Sequence, residues 1–183
     1  MKHGKFGVDF NRLEMLKTFI IIIMFTLLSC NNRSEKGVNS MKPGENQLAD
    51  VNSYFIQKDR ERIQNYIERK NLRMRESGTG LWFMINNEGK GDYFKNNDRI
   101  VMDYRCSLLD GTPCYSSITL GPKKIVLGRS ELEAGLNEGL RLMKPGGEAT
   151  FILPAFLAYG LTGDGTAIPP RAIIVYEVKI QDN

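Results

Sequence analysis

The sequence predicts an α+β domain: a curved antiparallel sheet of about five strands wrapped around one short helix, preceded by a charged N-terminal helix. Three observations lead there. From residue 81 onward, short apolar runs alternate with polar residues at a period of two and are punctuated by glycine and asparagine. One stretch breaks that rhythm, with Leu132, Leu136 and Leu140 repeating every fourth residue. Asp110-Gly111 supplies a strong short-range hairpin signal between two such runs.

The chain has 183 residues, 42% of them hydrophobic and 25% charged, an ordinary globular composition. Its opening reads as an export signal (1–29). Lys17 is followed by the apolar run Phe19-Ile20-Ile21-Ile22-Ile23-Met24-Phe25, too short for an ordinary membrane span. Leu27-Leu28-Ser29-Cys30 resembles a bacterial lipobox, which makes Cys30 the expected lipidation site. An uncleaved anchor helix is the alternative, and Met15 is a second possible start. Asn31 and Asn32 carry no aspartate-type retention mark, so the expected place is the cell envelope, lipid-anchored at the outer membrane and facing the periplasm. Residues 30–47 are rich in Asn, Ser, Lys, Gly and Pro and read as a flexible tether reaching ~20–25 Å.

Net charge is +4, from 25 basic and 21 acidic residues. Removing Lys2, Lys5, Arg12, Lys17, Asp9 and Glu14 with the leader leaves 21 − 19 = +2, too weak for a nucleic-acid surface. The one histidine, His3, also lies in the leader. That excludes Ser-His-Asp and Cys-His catalysis and histidine metal sites from the mature chain. No paired carboxylates stand out among Asp103, Asp110 and Asp164.

Residues 48–80 form an amphipathic helical segment. Val51, Tyr54, Phe55, Ile63, Tyr66 and Ile67 recur at helical spacing with charges between them, and Gly78 and Gly80 end it. The stripe reads either as packed on its own domain or as a partner surface. Residues 81–183 form the second domain. Its strands are expected at 81–85, 100–108, 114–116, 123–127, 148–153 and 173–180. Ser130-Glu131-Leu132-Glu133 has the capping-box pattern that opens the one helix, and Lys144-Pro145-Gly146-Gly147 closes it.

Several short motifs then fall in a recognisable order: Tyr104; Leu108-x-Asp110-Gly111; Ser116-Ser117; Leu127-Gly128; Gly135-Leu136-Asn137-Glu138-Gly139-Leu140; Ala158-Tyr159-Gly160; Ile168-Pro169-Pro170-x-Ala172; and Val175-Tyr176-Glu177-Val178. Over residues 98–181 this resembles the FK506-binding-protein family of peptidyl-prolyl cis–trans isomerases. Gly78-Thr79-Gly80-Leu81-Trp82 and the lipobox are similar to its membrane-anchored, gliding-motility-associated lipoprotein branch. The resemblance implies an FKBP-like fold, rotamase activity and no cofactor or metal. Its substrates would be proline-containing unfolded or newly exported polypeptides. It implies that Tyr104 lines a prolyl pocket, that the Tyr159 hydroxyl bonds the substrate carbonyl, and that the Ile168 N–H is a second donor.

The pattern has departures. Tyr176 stands for a phenylalanine, and Leu132 and Glu133 for a Val-Ile pair. Leu136 replaces the floor tryptophan, Cys114 a phenylalanine and Tyr115 an aspartate. Tyr115 is expected to swing into the space so opened, and the family's macrolide to bind weakly. Cys106 and Cys114 sit at mirrored distances from Asp110, as a cross-strand disulfide or as two small buried thiols. A non-enzymatic chaperone or docking module of an envelope or motility complex is the alternative function.

Overall fold

The computed structural model describes residues 43–182. The expected signal peptide, Cys30 and tether residues 30–42 lie outside the described residues.

Helix α1 spans Pro43–Lys70. It therefore begins inside the stretch expected to be tether, with proline at a first helical position, where its missing N–H costs nothing. It ends before the expected boundary: Asn71 takes the left-handed conformation (φ 52°), and the Leu72 N–H donates to the Ile67 carbonyl at 3.0 Å. The rest of the expected helical segment holds strand β1 (Arg75–Glu76) and a tight turn.

The remaining elements are β2 (Trp82–Asn87), β3 (Arg99–Leu108), β4 (Pro113–Ser116), the single turn α2 (Ser117–Leu120), β5 (Lys123–Val126), α3 (Ala134–Leu140), β6 (Glu148–Leu153), a 3-10 turn (Ala155–Leu157) and β7 (Ile174–Ile180). The sheet has seven strands in the order β1-β2-β6-β7-β3-β4, with β5 sharing β3. Every pairing is antiparallel. The one strand beyond the six expected ranges is β1, whose two residues are too few to show a pattern.

Two apolar layers hold the sheet. On one face α3 buries Leu136 and Leu140 against Phe151, Leu153 and Tyr176. The helix lies so close that a Cβ at Gly139 would sit 2.8 Å from the Phe151 ring. On the other face Ile63 of α1 is buried against Ile152, Ile173 and Val175. Ile173 to Tyr176 are buried on both sides for this reason, although the strand reads as alternating. Farther toward its N-terminus α1 leaves the sheet, and Leu48, Val51 and Tyr54 are exposed.

Candidate active site

Strands β3 and β7 run side by side, pairing Cys106 with Tyr176 and Tyr104 with Val178. Residues two apart share a sheet face, so Tyr104 and Tyr176 project to the α3 side together. Their ring centroids are 6.2 Å apart at 50°. The loop after the 3-10 turn adds Tyr159. Leu136, fully buried, belongs to the same cluster. The structure thus gathers Tyr104, Tyr159, Tyr176 and Leu136 into one cup.

A carboxylate completes it. The Tyr176 hydroxyl donates to Glu133 Oε1 at 2.8 Å, and the Tyr159 hydroxyl donates to the same oxygen. This overturns the capping-box reading. Glu133 is the N-cap of α3 but makes no side-chain cap bond, while Ser130 Oγ accepts from the Val126 N–H at 2.9 Å. Glu133 is 8% exposed, and its Oε2 is buried without a hydrogen-bond partner among the described residues. Burial first, then the Glu133 carboxylate, push both phenols well above their ordinary range, so both remain protonated donors. Beside them Lys123, Glu131, Leu132, Glu133, Ala158 and Tyr159 bound a cleft of about 450 Å³.

The loop that follows corrects one expectation. The Ile168 N–H donates to Asp164 Oδ1 at 2.8 Å, so the expected second donor is already used, and the Ile168 side chain is buried in the core. Tyr115 stands opposite Cys106, on the sheet face that carries Tyr176, and packs on the same apolar cluster as Tyr104 and Tyr159. Its hydroxyl is hydrogen-bonded to Asp164, and to Thr166 at 2.5 Å. Gly163 permits this fold-back: at φ 70°, a Cβ there would lie 2.2 Å from the Ile168 carbonyl oxygen.

Burial opposes ionisation of Asp164, but the Tyr115 hydroxyl and the N–H groups of Thr166 and Ile168 outweigh it and bring its pKa down to about 2. Its folded value lies below its unfolded one, so the stabilisation is complete above the unfolded value of 3.8 and fades as pH falls through about 2. Amide protection at Thr166 and Ile168 is therefore expected to persist at pH 4 and to vanish near pH 2. Hydrogen exchange checks this, and Asp164→Ala, which removes the acceptor, should lose the protection already at neutral pH.

The profile of the family described as FKBP-type peptidyl-prolyl cis-trans isomerase matches residues 91–181. Residues 91–181 belong to that family. The FkpA protein of Neisseria meningitidis serogroup B, named a probable FKBP-type isomerase, is 36% identical over 58% of this chain and 39% of its own length. FkpA of Escherichia coli is 33% identical over 60% of this chain and 40% of its own. The chain spans less than half the length of these two curated relatives. The crystal structure of Escherichia coli FkpA superposes with a TM-score of 0.60 at 25% identity, covering 91% of this chain and 80% of that one.

In this FKBP domain two departures from the family pattern meet: Glu133, at the isoleucine position, accepts from Tyr176, at the phenylalanine position. They lie 43 residues apart, and no local pattern links them. Asp164 and Tyr115, 49 residues apart, are likewise linked by no local pattern. Cys114 falls at a bulge between the pairs Cys106–Tyr115 and Ser107–Pro113. Its Sγ lies 3.7 Å from the Ala167 carbonyl oxygen.

Both cysteines of the FKBP domain are free, so the disulfide alternative is set aside. Burial pushes the Cys106 thiol up to about 12 and raises Cys114. Iodoacetamide at pH 8 should leave Cys106 unlabelled in the native protein and label Cys114 slowly; both should react fully in denaturant, as read by peptide mass spectrometry.

Proposed function

We propose that the FKBP domain catalyses cis–trans isomerisation of Xaa-Pro bonds in unfolded or newly exported polypeptides. The protein that carries it is exported, lipid-anchored through Cys30 and held at the outer membrane on the periplasmic side. The observation that carries the reading is the cup itself: Tyr104, Tyr159 and Tyr176 pack in one cluster with Leu136, the Tyr104 and Tyr176 rings lie 6.2 Å apart, and the Tyr159 and Tyr176 hydroxyls meet at Glu133 Oε1.

Turning a prolyl bond breaks no covalent bond and moves no proton, which suits a mature chain without histidine. Amide resonance sets the barrier, and uncatalysed exchange takes tens to hundreds of seconds. At the twisted midpoint the nitrogen lone pair is decoupled from the carbonyl and the amide loses charge separation. An aromatic, water-poor cup therefore disfavours the planar form more than the twisted one. Each 1.4 kcal/mol of that difference is worth about tenfold in rate. Tyr104 and Tyr159 would wall the prolyl ring, with Tyr176 and Leu136 beneath, while Leu132, Cys114, Tyr115 and Ile168 shape the surroundings. With the Ile168 N–H engaged, Tyr159 supplies the hydroxyl for the substrate carbonyl. Macrolide affinity is expected to be weak, because Tyr115 stands at the aspartate position with its hydroxyl tied to the loop. Nanomolar binding in a direct titration would refute this.

Exchange NMR on an Xaa-Pro peptide tests the activity: the protein should speed exchange saturably, and Tyr159→Ala, which removes a wall, should abolish the effect. No acceleration by folded wild-type protein would overturn the reading. A holding or docking role is the second reading, favoured by the exposed Leu48, Val51 and Tyr54 along α1. The lipobox and the Gly78-Thr79-Gly80-Leu81-Trp82 segment support the motility-associated branch, and loss of gliding in a deletion strain would test it.

A further inference from the structure

Tyr159 has one phenolic proton, and the structure shows where it goes: to Glu133 Oε1. We propose that Glu133 is a positioning residue that restrains this isomerase, its carboxylate competing with the substrate carbonyl for the Tyr159 hydroxyl. The inference rests on the isomerase reading of the cup.

Three observations carry it. First, the carboxylate is held from behind: Tyr176, fully buried on the central strand β7, donates to the same oxygen at 2.8 Å, so Glu133 is aimed at Tyr159 by the rigid part of the domain. Second, its fold-stabilising return is poor. A buried carboxylate with one oxygen unpartnered is a costly choice where an apolar side chain would pack, and such groups call for an explanation outside stability. Third, Glu133 and Tyr159 both line the open cleft, so a peptide entering it meets the pair directly. The groups facing the carboxylate are Tyr104 and Cys106 from β3, Tyr159 from the loop and Tyr176 from β7, with Lys123 and Glu131 on the cleft wall.

The competition is uneven. A hydrogen bond to an ionised acceptor is roughly twice as strong as one to a neutral carbonyl. Substrate must therefore displace the better acceptor before it gains the hydroxyl. That contact is made to the planar and the twisted amide alike, so the restraint falls on binding: KM is raised and kcat is left nearly alone.

The test compares wild type with Glu133→Leu/Tyr176→Phe, a pair that removes the carboxylate and the buried hydroxyl depending on it together, which protects folding. KM for an Xaa-Pro peptide should fall about tenfold with kcat nearly unchanged. Adding Tyr159→Phe should raise KM several-fold more in the paired variant than in wild type, where that hydroxyl must first leave Glu133. Glu133→Gln, which keeps the acceptor oxygen without its charge, should fall between. If the paired variant turns over with unchanged KM, or Tyr159→Phe is as harmful alone as in the pair, the restraint is overturned and the isomerase reading stands. If wild type and the paired variant are both inactive though folded, the isomerase reading fails and the restraint falls with it.

Discussion

Replacing Ile63 by alanine is expected to lower the free energy of unfolding by about 2–5 kcal/mol, the largest loss from any truncation on α1. Ile63 is 1% exposed and packs on Ile152 of β6, Val175 of β7 and Ile173 just before β7. The lost transfer free energy is joined by the cost of the cavity, since a rigid sheet cannot collapse into it. Val51→Ala on the same helix is the comparison. That residue is 51% exposed, and its truncation should move stability by no more than about 0.5 kcal/mol. Urea melts of both variants check this. Equal midpoints would mean that α1 rests on the sheet without contributing to it. The helix is otherwise fastened by Asp59, which is buried with the Arg171 and Arg62 guanidiniums 3.8 Å away. Burial raises the Asp59 pKa against the pull of both cations, so this ion pair adds less than its geometry implies, and the apolar contact at Ile63 dominates.

The second large effect is a non-additive pair. Tyr176→Phe alone removes a hydrogen bond to a charged group and should cost about 1.5–3 kcal/mol. Glu133→Leu alone strands the fully buried Tyr176 hydroxyl and should cost about 1–3 kcal/mol. Together the two changes take away both halves of the pair, and the double variant should lie within about 1 kcal/mol of wild type or above it. Denaturant melts of the four proteins close the cycle. Simple addition of the two single losses would show that the bond between Glu133 and Tyr176 contributes nothing.

That pair also shows what the amino-acid sequence makes legible. Strands β3 and β7 could be read because one face is buried along their length and the side-chain period is two. Helix α3 could be read from three leucines and from the proline and glycines that stop it. The three tyrosines followed from motif order. What escaped were contacts that topology alone creates. Glu133 has a perfectly good local role as a capping residue, and only the path of β7 offers it a better partner in Tyr176. The Asp164 side chain gathers the Thr166 and Ile168 N–H groups because a glycine lets the loop fold back, a geometry that residue types do not announce. Along α1 the apolar spacing was correct, yet which part of the stripe is covered depends on where the sheet ends. Ile63 is inside and Val51 is not.

The central claim is that the tyrosine cup receives a prolyl ring. Intermolecular NOEs between an isotope-labelled protein and a short Xaa-Pro peptide examine this most directly. Contacts from the proline ring protons to the rings of Tyr104 and Tyr159, saturating with peptide concentration, are the predicted result. Proline contacts confined to Leu48, Val51 and Tyr54 of α1, with the cup silent, would contradict it.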